Sequence, residues 1–480
     1  MVLTVYLSTM CMFPKCEQDK SLRLKIMKID VLVAEIGSTI TVVNGFTNMG
    51  TDTPIFVGQG RAPTSVNEGD VRIGLQGAID RLSETLGVKE ITYHKMLAAS
   101  SAAGGLRMTV HGLVYDMTVR AGKEAALGAG ANVHMITAGV LRQIDLEEIE
   151  EINPSLILLA GGTDYGDRDT AVKNAEMLRE LKTKAPVIYC GNVENQKVVR
   201  RIFEKANRQI YITENVYPKL DQLNIEPVRE LIHQAFEEHI TEAPGMKHVR
   251  EMVNGTIMPT PGAVMECAKM LYQEIGDVAV VDVGGATTDI HSVTDGCEEI
   301  ATIQMSPEPQ AKRTVEGDLG VYVSARNLAQ IVGFQTLEKE TGVNVEEVLD
   351  NYQPIPVTEE QLALTSCLTW HAASMALKRH AGRFYHVYGA SGRRTFAEGK
   401  DMTKVQWLVA TGGALTRMPG REKILERLTK INKSGEMLYP KPHQMKVLED
   451  RHYIMAAIGV LFRDYPEEAT ILIKSDLKGL

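Results

Sequence analysis

The chain has 480 residues, of which 44% are hydrophobic and 24% charged, a composition typical of a globular protein with two to four domains. Its formal net charge of −9 argues against a nucleic-acid-binding protein, because such proteins depend on cationic side chains to neutralise phosphates. No apolar run is long enough for a transmembrane helix, and six scattered cysteines without CxxC spacing indicate reduced thiols in a cytoplasmic protein.

The N-terminal part of the chain contains an extension and then the first regular pattern. Residues 1–28 are expected to be a disordered extension, with Met27 as an alternative start of translation. Residues 29–95 are expected to form the first part of a lobe. Within them, 31–46 predicts two strands joined by a tight glycine loop, and 68–86 has the apolar spacing of a helix.

The middle of the chain, residues 96–255, is expected to form an inserted or enlarged α/β subdomain. Short apolar strands alternate with helical stretches from about residue 91 to residue 213. The glycine-containing segments 98–108 and 158–164 follow predicted strands. They are either ordinary βα turns or part of a second ligand site, because ligands favour the carboxyl ends of parallel strands.

The rest of the chain, residues 256–480, returns to the strand–glycine loop–strand pattern at 278–293. A helical region is predicted over 320–381, a hairpin over 383–399, a strand over 405–410 and an apolar helix over 450–463. The hairpin at 278–293 resembles the one at 31–46, which indicates a duplicated lobe.

The most informative motif follows the apolar strand 278–281. Asp282 ends the strand, and Gly284, Gly285, Ala286 and Thr287 come next. Two glycines allow the backbone to turn closely around a ligand and to direct N–H groups at phosphate oxygens. Asp282 is placed to hold Mg²⁺ through water, because this ion gives up its hydration water reluctantly. The alternative is a simple β-hairpin with a glycine turn.

The first hairpin has the same logic, with a buried strand, an acid, a glycine and two hydroxyls: Glu35, Gly37, Ser38 and Thr39. With this pair of loops, the sequence resembles the actin, sugar-kinase and heat-shock-chaperone ATPase superfamily. That resemblance implies that both loops bind the phosphates of ATP or ADP, and that Glu35 and Asp282 hold Mg²⁺. The superfamily usually has Asp where this chain has Glu35, so a slow Mg²⁺-dependent ATPase is expected.

A third motif, residues 408–420, resembles the adenosine-binding motif of the superfamily. Its Gly412, Gly413 and Ala414 would let the purine and ribose lie against bare backbone. The segments 316–320 and 456–459 resemble the two helical connectors of the hinge. The predicted fold class is therefore α/β, a two-lobed actin-like ATPase fold of duplicated ribonuclease-H-like lobes with an additional α/β subdomain.

Together with 98–108, 158–164, 258–264 and 314–320, these motifs make the chain similar to the MutL-type accessory proteins of glutamate mutase, over about residues 29–463. The resemblance implies an ATP-binding and ATP-hydrolysing reactivating chaperone. Its partner would be an adenosylcobalamin-dependent mutase of the glutamate mutase or ornithine aminomutase type, with no nucleic-acid or membrane partner. A homodimer is left open.

Two other functions share this fold. A small-molecule kinase would need an acidic base against a bound acceptor, and the sequence identifies none. An iron–sulfur activator of a dehydratase would need a cysteine near the first connector, and residues 316–320 contain none. For ATP hydrolysis, Glu316 and Asp289 are the candidates for positioning the attacking water.

Overall fold

The computed structural model describes residues 26–37, 40–102, 106–389 and 392–480. The first part of the chain forms β1 (Ile26–Ile36), β2 (Ile40–Thr47), β3 (Ile55–Pro63), α1 (Val71–Leu86) and β4 (Glu90–Ser100). The middle forms β5 (Leu106–Gly112), α2 (Arg120–Gly128), β6 (Ala131–Ala138), α3 (Gln143–Ile152), β7 (Leu156–Leu159), α4 (Asp169–Leu178), β8 (Val187–Tyr189), α5 (Gln196–Lys205), β9 (Ile210–Ile212), α6 (Glu226–His239) and α7 (Val249–Met252).

The remainder contains the second lobe and a helical region. It forms β10 (Ile257–Pro259), α8 (Thr260–Ile275), β11 (Val278–Val283), β12 (Thr288–Val293), α9 (Glu298–Ala301), β13 (Ala311–Glu316), α10 (Ala325–Val332), α11 (Phe334–Thr341), α12 (Val345–Asp350) and α13 (Glu359–His380). The last elements are β14 (Arg383–Gly389), β15 (Gly392–Glu398), β16 (Trp407–Thr411), α14 (Gly413–Arg417), α15 (Arg421–Leu428), β17 (Lys446–Asp450), α16 (Met455–Leu461), α17 (Pro466–Asp476) and β18 (Leu477–Lys478).

Two sheets of the protein repeat one topology. The first sheet has the order β10-β4-β1-β2-β3, in which β1 and β2 and then β2 and β3 pair antiparallel, whereas β4 and β10 run parallel to β1. The second has the order β17-β16-β11-β12-β13 with the same directions, and β18 adds an antiparallel strand at its edge. This duplication of a ribonuclease-H-like sheet confirms the predicted two-lobed actin-like ATPase fold.

Helices α8 and α16 cross between the two sheets. A Cβ on Gly459 of α16 would lie 1.8 Å from the carbonyl oxygen of Ala263 in α8, so only glycine permits this close crossing. The same buried cluster contains Val33 from the first sheet and Val280 from the second. The second predicted connector, 456–459, therefore lies at the junction of the lobes.

The first predicted connector was placed wrongly. Residues 316–320 end strand β13 and continue as a non-helical turn, and the helix that crosses α16 is α8. Pro261 and Gly262 lie in the first turn of α8, where proline is well suited to the start of a helix.

The inserted subdomain is a third sheet, entirely parallel, in the order β6-β5-β7-β8-β9. This is the doubly wound order in which a topological switch point lies between β5 and β7. Residues 96–100, which the sequence assigned to this subdomain, lie in β4 and pair with β1 in the first lobe. The chain therefore leaves the first sheet after β4, forms the inserted subdomain, and returns to the sheet as β10, which pairs in parallel with β4.

The start of the described chain also differs from the expected extension. Residues 26–28 begin β1 and pair with residues 90–92 of β4, whereas residues 1–25 lie outside the described part of the chain. Among the helices that the structure describes, none combines the length and apolar character needed to cross a membrane.

Candidate functional site

The first glycine loop lies at the end of β1. Glu35 is buried there, burial raises its pKa to about 7, and the hydroxyl of Tyr453 donates to its Oε1 at 3.2 Å. The N–H of Gly37 donates to the carbonyl of Ile40 at 3.0 Å, and an added Cβ on Gly37 would meet that carbonyl oxygen at 2.7 Å. Ser38 and Thr39, predicted nucleotide ligands, lie outside the described residues.

The second glycine loop joins β11 to β12. The carbonyl oxygens of Gly284, Gly285 and Ala286 accept four hydrogen bonds of 2.7–3.1 Å from residues 321–324, three from backbone N–H groups and one from the Ser324 hydroxyl. Within the described chain, the N–H groups of Gly285, Ala286 and Thr287 have no protein acceptor. Backbone donors that have no protein acceptor are suited to holding an anion, so the loop has the geometry that phosphate binding needs, and that role stays a prediction.

Asp282 lies at the end of β11, at the floor of the same loop. Burial and the negative charges of Asp289, Glu35 and Asp450 raise its pKa to about 8, although the guanidinium of Arg313 opposes them. Carboxylates from the two lobes therefore repel one another across one small space. A divalent cation relieves such repulsion, so the site fits the predicted Mg²⁺ ligands Asp282 and Glu35.

Asp289 is engaged by its neighbours. The guanidinium of Arg313 donates to its Oδ1 at 2.6 and 2.9 Å, and the hydroxyl of Thr287 donates to its Oδ2 at 2.9 Å. Arg313 is itself fully buried, and its Nη1 donates to the carbonyls of Leu127 and Ala131 in the inserted subdomain. Asp289 thus connects the second glycine loop to the insertion.

Glu316 ends β13 and accepts from Arg379 at 2.5 Å, and the same guanidinium binds both oxygens of Asp318 at 2.9 and 3.0 Å. Burial is the main reason that the pKa of Glu316 is raised, while Arg379 opposes it. The turn 317–320 packs directly against the second loop. A Cβ on Gly320 would lie 2.3 Å from the carbonyl group of Ala286, so only glycine allows this contact.

The third motif supplies two glycines with different surroundings. Gly412 has φ +84°, and its added Cβ would meet Asp282 Oδ1 at 2.4 Å. An added Cβ on Gly413 would meet no protein atom within 4 Å, so this glycine opens into free space. Ala414, the third residue predicted to bind nucleotide here, is buried in α14.

Replacing Gly413 with Val is expected to weaken adenine-nucleotide binding about 10-fold or more by steric overlap, since each 1.4 kcal/mol of lost affinity is tenfold. Isothermal titration of ADP would measure this loss. Thermal unfolding of the nucleotide-free variant is the control, and we expect it to change little, because no protein atom is in the way. Unchanged ADP affinity would contradict a nucleotide position against Gly413.

Two functional residues were missed in the sequence. Asp450 ends β17 and is fully buried, accepting from the Thr411 hydroxyl at 2.8 Å and from the N–H groups of Ile454 and Met455. Tyr453 follows it with φ +57° and reaches across to Glu35. The signal at Asp450 was weak, because β17 has the sequence KVLED with only two apolar residues, whereas continuous apolar runs precede Glu35 and Asp282.

The acidic cluster predicts a pH dependence of the nucleotide-free protein. The pKa of Asp282 rises from 3.8 unfolded to about 8 folded, and that of Glu35 rises from 4.5 to about 7. The folded state therefore binds more protons in this range, and the free energy of unfolding falls as pH rises from about 4 to about 8.

Urea unfolding in a chelator, from pH 5 to pH 8, would measure this loss of stability. Asp282→Asn removes one titrating group, so its stability should fall less steeply with pH than that of the wild type. Identical slopes for the two proteins would show that Asp282 does not titrate as described.

The protein was compared with known families and structures. The family model described as MutL protein matches residues 31–477. The chain is 39% identical over 425 residues to "Protein MutL" of Clostridium tetanomorphum, an alignment covering 85% of this chain and 92% of that protein. Two solved structures resemble it at 10% identity: a diol dehydratase-reactivating factor in nucleotide-free form (TM-score 0.37, 91% of this chain and 99% of that chain) and a ligand-bound xylulose kinase from Lactobacillus acidophilus (TM-score 0.34, 94% and 92%).

Proposed function

Because this chain belongs to the MutL protein family, we propose that it is an ATP-driven accessory protein that reactivates an adenosylcobalamin-dependent mutase of the glutamate mutase or ornithine aminomutase type. The observation that carries the nucleotide part of this proposal is the convergence of carboxylates from both lobes beside a glycine loop with free N–H groups. The family resemblance supplies the choice of partner.

In this proposal each lobe contributes one end of the nucleotide site. Gly285, Ala286 and Thr287 would donate their N–H groups to phosphate oxygens, and Asp282 and Glu35 would hold Mg²⁺. When bound, Mg²⁺ supplies charge neutralisation of the phosphates. Glu35 stands where the superfamily usually has the shorter Asp, and it accepts a hydrogen bond from the hydroxyl of Tyr453. Both features favour slow hydrolysis.

The attacking water would be positioned at the end of β13. Glu316 is the better of the two predicted groups, because Asp289 already accepts three hydrogen bonds from Arg313 and Thr287. Arg379 holds the Glu316 carboxylate in place. We therefore assign Asp289 a positioning role, in which it orients Thr287 and anchors Arg313.

A change of the bound nucleotide would be transmitted to the inserted subdomain through buried contacts. Arg313 links Asp289 to the carbonyls that flank the α2–β6 turn, and Arg229 of α6 donates to the carbonyl of Ala311 in β13 at 2.6 Å. The backbone of Gly130 lies so close to α8 that an added Cβ would be 2.5 Å from the N–H nitrogen of Gly262. Closure of the lobes around ATP would thus move the insertion, and loss of the γ-phosphate would remove the advantage of the closed state.

The proposal is tested with an adenosylcobalamin mutase that has been inactivated by turnover. Addition of this protein with ATP, Mg²⁺ and fresh cofactor should restore activity, and a non-hydrolysable ATP analogue should not. Omission of fresh cofactor should also prevent recovery. A protein whose hydrolysis instead required a small-molecule acceptor, with no mutase bound, would be a kinase, and the reactivation proposal would be abandoned.

A further inference from the structure

Three side chains with metal-ligating atoms converge between helices α11 and α13, outside the nucleotide cleft. The Oε2 of Glu340 lies 3.1 Å from the Sγ of Cys367 and 3.0 Å from the Nε2 of His371. All three ligand atoms lie within 4.8 Å of one another. A thiol, an imidazole and a carboxylate thus share one small volume.

The placement of these groups follows from the helices. Cys367 and His371 are four residues apart on α13 and therefore lie on one face of that helix. Glu340 comes from the last turn of α11, which Leu337 anchors in the core. Arg427 of α15 stacks on the ring of Trp370, which precedes His371 on α13, at 3.7 Å from the ring centroid. Two rigid helices, rather than a loop, position the ligands.

The spacing fits a tetrahedral cation. With metal–ligand bonds of about 2.0 Å to oxygen and nitrogen and about 2.3 Å to sulfur, the ligand atoms of a tetrahedral zinc site lie about 3.3–3.6 Å apart. The distances from Glu340 Oε2 to Sγ and to Nε2 are a few tenths of an ångström shorter, and Sγ and Nε2 lie within 4.8 Å of each other. Binding a cation therefore requires small side-chain movements, for which Glu340, with a 40% exposed side chain, has room.

We propose that Glu340, Cys367 and His371 form a zinc-binding site. The ligand types favour zinc over magnesium or calcium, because a thiolate and an imidazole suit the softer ion. On binding, bonds form from the metal to Sγ, Nε2 and Oε2, and the thiol proton, which is directed at Glu340 in the metal-free protein, leaves to solvent. The imidazole of His371 then carries its proton on Nδ1 instead of on Nε2, which faces Glu340 in the metal-free protein. Three protein ligands leave the fourth position to water.

Such a site would fasten α11 to α13. Eight residues beyond His371 on the same helix, Arg379 binds Glu316 and Asp318 beside the second glycine loop. The zinc site would therefore stiffen the support of the nucleotide cleft without belonging to it. This inference is independent of the proposed function.

The test uses the full-length protein, stripped of metal with a chelator and titrated with Co²⁺ and then with Zn²⁺. Tetrahedral Co²⁺ bound to one thiolate should give near-ultraviolet charge-transfer absorption and intense visible bands, both abolished by one equivalent of Zn²⁺. Cys367→Ser and His371→Gln should each lower zinc affinity by more than the roughly 10–100-fold that loss of an outer-shell partner costs. Competition with a chromophoric chelator gives these affinities.

Cys297→Ser is the matched control. The thiol of Cys297 also donates to a carboxylate, that of Glu299 at 2.5 Å, but the described residues place no histidine in a metal-ligating group with it. This variant should bind Co²⁺ and Zn²⁺ as the wild type does. The absence of a thiolate charge-transfer band in the wild type, or a band that persists in Cys367→Ser, would overturn the proposal.

Discussion

Asp282→Ala is expected to lower the rate of ATP hydrolysis by on the order of 100-fold or more. The residue lies where the acids of both lobes meet, and burial together with the negative charges of those acids raises its pKa to about 8. Its loss removes the protein-held position of Mg²⁺ and with it the orientation of the phosphates. Steady-state phosphate release with saturating Mg²⁺ would measure the effect.

The variant should still fold and should gain stability at neutral pH, because a carboxyl group whose folded-state pKa lies well above its unfolded value is removed. Asp52→Ala, at an exposed acid in the loop between β2 and β3, is the control and should hydrolyse ATP at the wild-type rate. An Asp282→Ala protein with normal turnover would show that the β11–β12 hairpin is only structural.

Arg313→Ala is expected to destabilise the protein by about 3–5 kcal/mol, the usual cost of leaving a buried charge without its partner. Asp289 would lose two hydrogen bonds, and the carbonyls of Leu127 and Ala131 would lose their donor. Urea unfolding would measure the loss. Arg326→Ala breaks an exposed ion pair with Asp350 at 2.6 Å and should cost at most about 1 kcal/mol.

A second substitution at Arg313 tests its role in communication separately from its role in stability. In the wild type, ATP should alter amide hydrogen exchange in α2 and β6. Arg313→Met keeps much of the side-chain volume, so enough of the variant should be folded for its hydrogen exchange to be compared with that of the wild type. We expect ATP still to protect the second glycine loop in this variant but to leave α2 and β6 unchanged. An undiminished response in the insertion would exclude Arg313 as the connection.

The duplicated lobes could be predicted from the sequence because their signals are local. Each lobe begins with a continuous apolar strand, an acid and a glycine turn, and these residues specify a buried strand and a tight loop without help from distant parts of the chain. Asp282 and Glu35 followed from the same pattern. The fold class then followed from the resemblance of these local motifs to those of the actin-like ATPase superfamily.

What the sequence did not provide depends on long-range packing. Strand β4 resembles the strands of the insertion, and only its pairing with β1 assigns it to the first lobe. Helix α8 was missed as a connector because its close contact partner, Gly459, lies almost 200 residues away. Arg313 looked like an ordinary strand residue, although it binds carbonyls of the insertion.

The central claim, one magnesium–nucleotide site built by both lobes, is tested most directly by the stability of the protein with and without Mg²⁺·ATP. At a nucleotide concentration about 1,000-fold above its dissociation constant, the free energy of unfolding should rise by about 4 kcal/mol. GTP should stabilise the protein much less, and Asp282→Ala should lose most of the gain. No stabilisation by any purine nucleotide, or an equal gain in Asp282→Ala, would contradict the account.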